Sequence, residues 1–137
     1  MPDVIKSYQD LKVWQEAMEL VALAYALASR LPSAERYALV PQITRAAVSV
    51  PANIAEGQGS NHRRVFLNHL SIARGSLMEL ETYILLARKL NFAAEDDVAG
   101  TQAKITTVGR MLSGLIRALK SKLEEERGKP EASRTKA

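Results

Sequence analysis

Gln42, Arg45, Ser49, Asn53 and Glu56 recur at steps of three and four within QITRAAVSVPANIAEG. On a helix that spacing aligns them as one polar stripe beside the apolar row Leu39, Ile43, Ala46, Ala47, Val50 and Ile54. A second segment, ARGSLMELET at Ala73–Thr82, sets Arg74 and Glu79 among apolar neighbours. An unpaired charge is costly once buried. The pattern therefore predicts a structural polar seam in which Arg45 or Arg74 pairs with Glu56 or Glu79, within a helix pair or across a subunit boundary. A solvated helical face is the competing reading.

Neither stretch carries catalytic spacing. His62 and His69 lie seven residues apart, roughly 10 Å along one helix, too far to share a metal, and no acidic ligand stands between them. Glu56, Glu79 and Glu81 lack the Glu-x-x-His elements of a carboxylate-bridged di-iron bundle. No HExxH pair, P-loop, nucleophile elbow or dinucleotide fingerprint occurs. With no cysteine, thiolate metal sites and disulfides are also excluded. The expectation is a protein with no catalytic residue, no metal and no cofactor.

The second candidate chemistry is phosphate binding. The chain has 137 residues and a formal net charge of +4, and the excess lies between Asn61 and Leu123. His62-Arg63-Arg64 opens a helix, where cations oppose the helix dipole and a phosphate would relieve that cost. Arg110, Arg117 and Lys120 could extend the basic surface from the following helix. Arg63, Arg64, Arg110, Arg117 and Lys120 are therefore the candidate nucleic-acid contacts, reading phosphate without base identity. Ordinary solubility is the bland alternative for so small a surplus.

Positioning these residues requires helices. Aromatics are only 5% of the chain, and the abundant alanine and leucine favour close helix packing over a sheet. Four helical segments follow from the periodicity. The first, about 10–30, has Asp10 as N-cap and an apolar face of Trp14, Ala17, Met18, Val21, Tyr25 and Ala28. The second, about 38–56, has a kink expected at Pro51, where Ser49 or Asn53 could satisfy the opened backbone. Gly57 to Asn61 breaks the chain, with Ser60 or Asn61 available to cap the third helix, about 62–90. That helix carries a seam of Phe66, Leu70, Ala73, Leu77, Leu80, Ile84 and Ala87. The fourth, about 95–123, carries Val98, Thr101, Ile105, Val108, Leu112, Leu115 and Leu119.

The domain reading is an N-terminal extension at 1–9, a helical bundle at 10–123 and a disordered polar tail at 124–137. Additional apolar residues, namely Val13, Leu20, Leu23 and Leu27 on the first helix, Val65, Ile72, Leu85 and Leu86 on the third, and Met111 and Ile116 on the fourth, would form an exposed patch in a monomer. They point to self-association. No signal-like or membrane-length apolar run occurs, so a cytoplasmic, membrane-free location is expected.

DLKVWQEAMELVALAY, LPSAERYAL, QITRAAVSVPANIAEGQG and IARGSLMELETYILLARKL together resemble the four-helix-bundle proteins encoded by 23S rRNA intervening sequences. Those proteins are related to the accessory variability determinants of diversity-generating retroelements. The resemblance spans about Tyr8 to Leu119. It implies an all-α, antiparallel up-and-down bundle assembling as a cyclic homopentamer, often with a basic surface. Its pattern falls on Trp14, Gln42, Arg45, Ala46, Ser49, Pro51, Asn53, Glu56, Gly57, Arg74, Gly75, Ser76, Glu79 and Glu81, none implied to be catalytic. Ser60, His62 and His69 depart from it. The functional expectation is a non-enzymatic oligomer associated with rRNA or other nucleic acid. The alternative is an adaptor that recruits a protein such as a reverse transcriptase without touching nucleic acid.

Overall fold

The computed structural model describes residues 5–128, and among them every regular element is helical. Helix α1 spans Lys12–Ala28, α2 Leu39–Gly59, α3 Arg63–Lys89 and α4 Glu95–Arg127, with 3-10 turns at Tyr8–Asp10 and Ser33–Glu35. Each helix packs on its sequence neighbours, and α1 also packs on α4, which closes a four-helix bundle. No helix is long and apolar enough to cross a membrane among the described residues.

The core follows the α2, α3 and α4 patterns closely. Ile43, Ala47, Val50 and Ile54 of α2 are fully buried, as are Leu70, Ala73, Leu80, Ile84 and Ala87 of α3. On α4 the buried row ends Leu112, Ile116, Leu119, so Ile116 takes the core position expected of Leu115. The difference is one of phase: 112, 116 and 119 keep the four-three step that returns to one face of a 3.6-residue helix.

Helix α1 is turned away from its expected face. Its core residues are Val13, Ala17, Leu20, Ala24, Leu27 and Ala28, whereas Met18 and Tyr25 are exposed and Trp14 and Val21 half-buried. Both sides of this helix are apolar, and burial in the bundle selects the side with more aliphatic and small residues. Asp10 does not cap α1. It closes a capping box with Ser7 on the preceding 3-10 turn, and α1 starts after Leu11 with no side-chain cap.

Helix α2 runs through the buried Pro51 and past Gly57 to end at Gly59. The Asn53 amide donates to the Ser49 carbonyl at 2.9 Å, and Ser49 Oγ bonds Ser76 at 2.8 Å, so neither serves the Ala47 carbonyl freed by Pro51. The break falls at Ser60–His62. Asn61, at φ 60°, supplies the left-handed turn, Ser60 Oγ donates to the Gly57 carbonyl and accepts from His62 N–H, and α3 has no side-chain cap. Asparagine tolerates that backbone region better than most residues. Gly57 has a packing role: a Cβ there would stand 2.8 Å from His69 Cβ and 3.1 Å from Phe66 Cα. Only a glycine lets α2 and α3 approach so closely.

The C-terminal end of α4 continues through Arg127, where a polar tail was expected from Glu124. Arg63 at the start of α3 pairs with Glu126, both half-buried or better, tying this last turn to the bundle. Positions 129–137, the rest of the expected tail, lie outside the described residues.

Candidate nucleic-acid interface

The polar stripe of α2 meets α3 along one edge of the bundle. Ser49 Oγ and the buried Ser76 Oγ are 2.8 Å apart. Asn53 Nδ2 donates to Ser49 Oγ at 3.0 Å, and Asn53 Oδ1 lies 2.9 Å from His69 Nδ1. The result is a chain of polar groups, Ser76–Ser49–Asn53–His69, each satisfied by the next. Beside it Gln42, Arg45, Ser49, Ser76, Glu79 and Tyr83 line a shallow notch of about 220 Å³.

The charges expected to pair inside this seam stay at its rim. Arg45, Glu56 and Glu79 are exposed, and neither Arg45 nor Arg74 bridges Glu56 or Glu79 among the described residues. Glu56 approaches His69 Nδ1 at 3.8 Å, and Glu79 accepts a long 3.4 Å hydrogen bond from Tyr83. Arg74 stands about 140° around α3 from Glu79, on another flank of the helix. Desolvating an ion pair costs more than desolvating hydroxyls and amides that bond one another. The inner positions accordingly hold Ser, Asn and His. His69, Ser76 and Tyr83 complete the seam, and only their steps of seven along the third helix could have signalled it.

The five basic candidates divide. Arg64 and Lys120 come together across the groove between the first turns of α3 and the last turns of α4. This groove has a volume of about 440 Å³. Helix α3 contributes Arg64, Leu67, Asn68 and Ser71; helix α4 contributes Lys120, Leu123, Glu124 and Arg127. Arg63 points to the opposite side of α3, where it is held by Glu126 and faces a separate groove of about 540 Å³ with Phe66, Leu119 and Lys122. Arg117 and Arg110 are exposed farther back on α4. Arg117 precedes Lys120 by one turn, and Arg110 lies two turns before Arg117. Arg127 was missed because a charged stretch after Leu123 reads as tail, and its helical order depends on the α3–α4 contact.

Among the described residues, the two resolved shifts of titration lie elsewhere, between α1 and α4. Lys104 Nζ donates to Glu16 at 2.8 Å and Glu19 at 3.2 Å. The Lys104 hydrogen bond holds the Glu16 carboxyl below its ordinary value, and the Glu16 carboxylate in turn raises Lys104. This arrangement is a clip between helices.

The family model for the 23S rRNA-intervening sequence protein matches residues 9–114, most of the chain. The chain belongs to that family. Among curated proteins, none matches it. A solved structure from Bacteroides thetaiotaomicron, described as a protein with unknown function from the S23 ribosomal protein family, superposes with a TM-score of 0.71 at 23% identity. The superposition covers 76% of this chain and 97% of that one. At that identity the likeness establishes a shared fold. For this intervening-sequence protein the match also divides the basic groove: its α3 wall lies inside the family segment, whereas Lys120 to Arg127 lie beyond it.

Proposed function

We propose that this chain is a non-enzymatic, self-associating, antiparallel up-and-down bundle that binds RNA backbone through the Arg64–Lys120–Arg127 groove. The observation that carries the reading is that groove. Three cations from two helices converge there against a single acid, Glu124, while the nearby acid Glu126 is occupied by Arg63. Phosphate contacts of this kind give affinity without base selection. The family is named for the 23S rRNA intervening sequence, which makes structured RNA the first ligand to try.

Self-association is supported by the outward row on α3. Val65, Ile72, Glu79 and Leu86 recur every seven residues on one side, and all four are exposed, as is Val48 on α2. Several other residues expected in an assembly patch, Val13, Leu20, Leu27 and Ile116, are core instead. The contact therefore centres on the α2–α3 edge, with Arg45 and Glu79 free to pair across it. A closed ring of five copies, as the family resemblance implies, would repeat the groove and raise avidity.

The test is a salt titration of binding to a structured RNA, with light scattering on the same sample. Binding that weakens steeply with salt, and that is lost in Arg64→Gln/Lys120→Gln/Arg127→Gln with melting unchanged, supports the reading. No binding at low salt overturns it and leaves recruitment of a protein partner as the alternative role.

A further inference from the structure

We infer that the α3–α4 groove takes double-stranded RNA in preference to an unpaired strand or a DNA duplex, an inference resting on the RNA-binding reading above. The first part follows from what the groove lacks. Proteins that hold unpaired strands stack bases on aromatic side chains, each stack contributing about 1–3 kcal/mol. No aromatic residue lines this groove; its floor is Leu67 and Leu123. Phe66, two residues from Arg64 in the chain, lines the separate groove on the Arg63 side, and it packs so closely on α2 that a Cβ on Gly57 would meet its Cδ1 at 3.0 Å. An unpaired base entering the α3–α4 groove finds no ring face. A duplex, with its bases already stacked, needs none.

The second part follows from two uncommitted polar side chains. Asn68 and Ser71 are exposed on the α3 wall, one and two turns past Arg64. Neither side chain makes a hydrogen bond among the described residues, although Thr44, Thr82, Thr106 and Thr107 all bond back to their own helices and Ser49, Asn53 and Ser76 bond one another. Amide and hydroxyl can each donate and accept, as can a ribose 2′-hydroxyl. The wide, shallow minor groove of A-form RNA presents those hydroxyls beside its phosphates, and proteins that read duplex RNA use both. On the facing wall Lys120 and Arg127 are two turns apart, about 10.5 Å, so two separated phosphates are contacted while Asn68 and Ser71 face the sugars between. This wall lies beyond the family-matched segment.

Fluorescence anisotropy with the full chain tests the inference on three labelled probes of one sequence. They are a duplex RNA of about 16 base pairs, the matching DNA duplex and an unstructured single-stranded RNA. Duplex RNA should bind about tenfold tighter than the single strand, since no stacking compensates the latter. Asn68→Ala/Ser71→Ala should bring RNA and DNA duplexes to within about twofold, with the salt slope and melting temperature unchanged, because phosphate contacts set that slope. Equal or tighter binding of the single strand overturns the duplex preference. An RNA-to-DNA ratio unaltered by the double substitution overturns the 2′-hydroxyl role. Absence of binding to all three probes is a different result, and it removes the RNA-binding reading itself.

Discussion

Replacing Gly57 by alanine and Gly75 by alanine makes the same chemical change on facing helices, and the two should move stability in opposite directions. At Gly57 the new Cβ would lie 2.8 Å from His69 Cβ, 3.0 Å from Phe66 Cδ1 and 3.1 Å from Phe66 Cα. Two of those atoms belong to the α3 backbone or its first side-chain carbon, so the strain cannot be relieved by a rotamer change at a flexible tip. Helix α3 has to move, and the His69–Asn53 hydrogen bond moves with it. Overpacking of this sort costs about 1–3 kcal/mol, and alanine's higher helix propensity returns up to about 1. The net expectation is a loss of about 1–2 kcal/mol, or about 4–8 °C in melting temperature for a domain of this size. At Gly75 nothing lies within 4 Å of the new atom. Propensity alone then acts, adding about 0.5–1 kcal/mol. Thermal unfolding followed by circular dichroism, at concentrations where light scattering gives a monomer, measures both. A Gly57→Ala variant that melts at or above the wild-type temperature would refute the close-approach argument. A Gly75→Ala variant that is stabilised as a monomer but loses assembly on concentration would place Gly75 in the contact between copies.

Other outcomes follow from the same geometry. Glu79→Gln should leave monomer melting within about 0.5 kcal/mol of wild type, because the carboxylate is exposed and its bond to Tyr83 is long; an effect confined to assembly, read by light scattering, would mark Glu79 as a partner contact. Ser49→Ala removes the hydroxyl shared by Ser76 and Asn53 and should cost about 1–2 kcal/mol in chemical denaturation, with Ser49→Ala/Ser76→Ala costing less than the sum of the singles. The lowered Glu16 group contributes stability above its ordinary value of 4.5, lost as pH falls through its lowered value; Lys104 contributes below 10.5, lost as pH rises through its raised value. Between neutrality and about pH 3 wild type should therefore lose more melting temperature than Glu16→Gln. Glu124→Gln removes the one acid in the basic groove and should tighten RNA binding, which the anisotropy assay reads directly.

The all-helical fold and most of the core could be read from the chain, because burial imposes a 3.6-residue period on residue types wherever one face is apolar and the other is not. Helix α2 meets that condition, and α3, despite its outward Val65, Ile72 and Leu86, carries one dominant seam; their buried rows match the pattern almost residue for residue. Helix α1 does not: with apolar residues on both sides, the chain holds no information on which side faces inward, and the packing of α2 and α4 decides it. The polar seam shows the same division. Its α2 half was visible as a stripe, but whether Arg45 and Glu79 pair, or leave the interior to Ser49, Asn53, Ser76 and His69, depends on the cost of desolvating charge at one particular contact. The basic groove was least visible. Arg64 and Lys120 are separated by most of two helices, and Arg127 looks like part of a solvated tail until α4 is seen to continue through it beside the first turns of α3. Local periodicity fixes what each helix can bury; only the approach of one helix to another determines which charges are neutralised and which stand open to a partner.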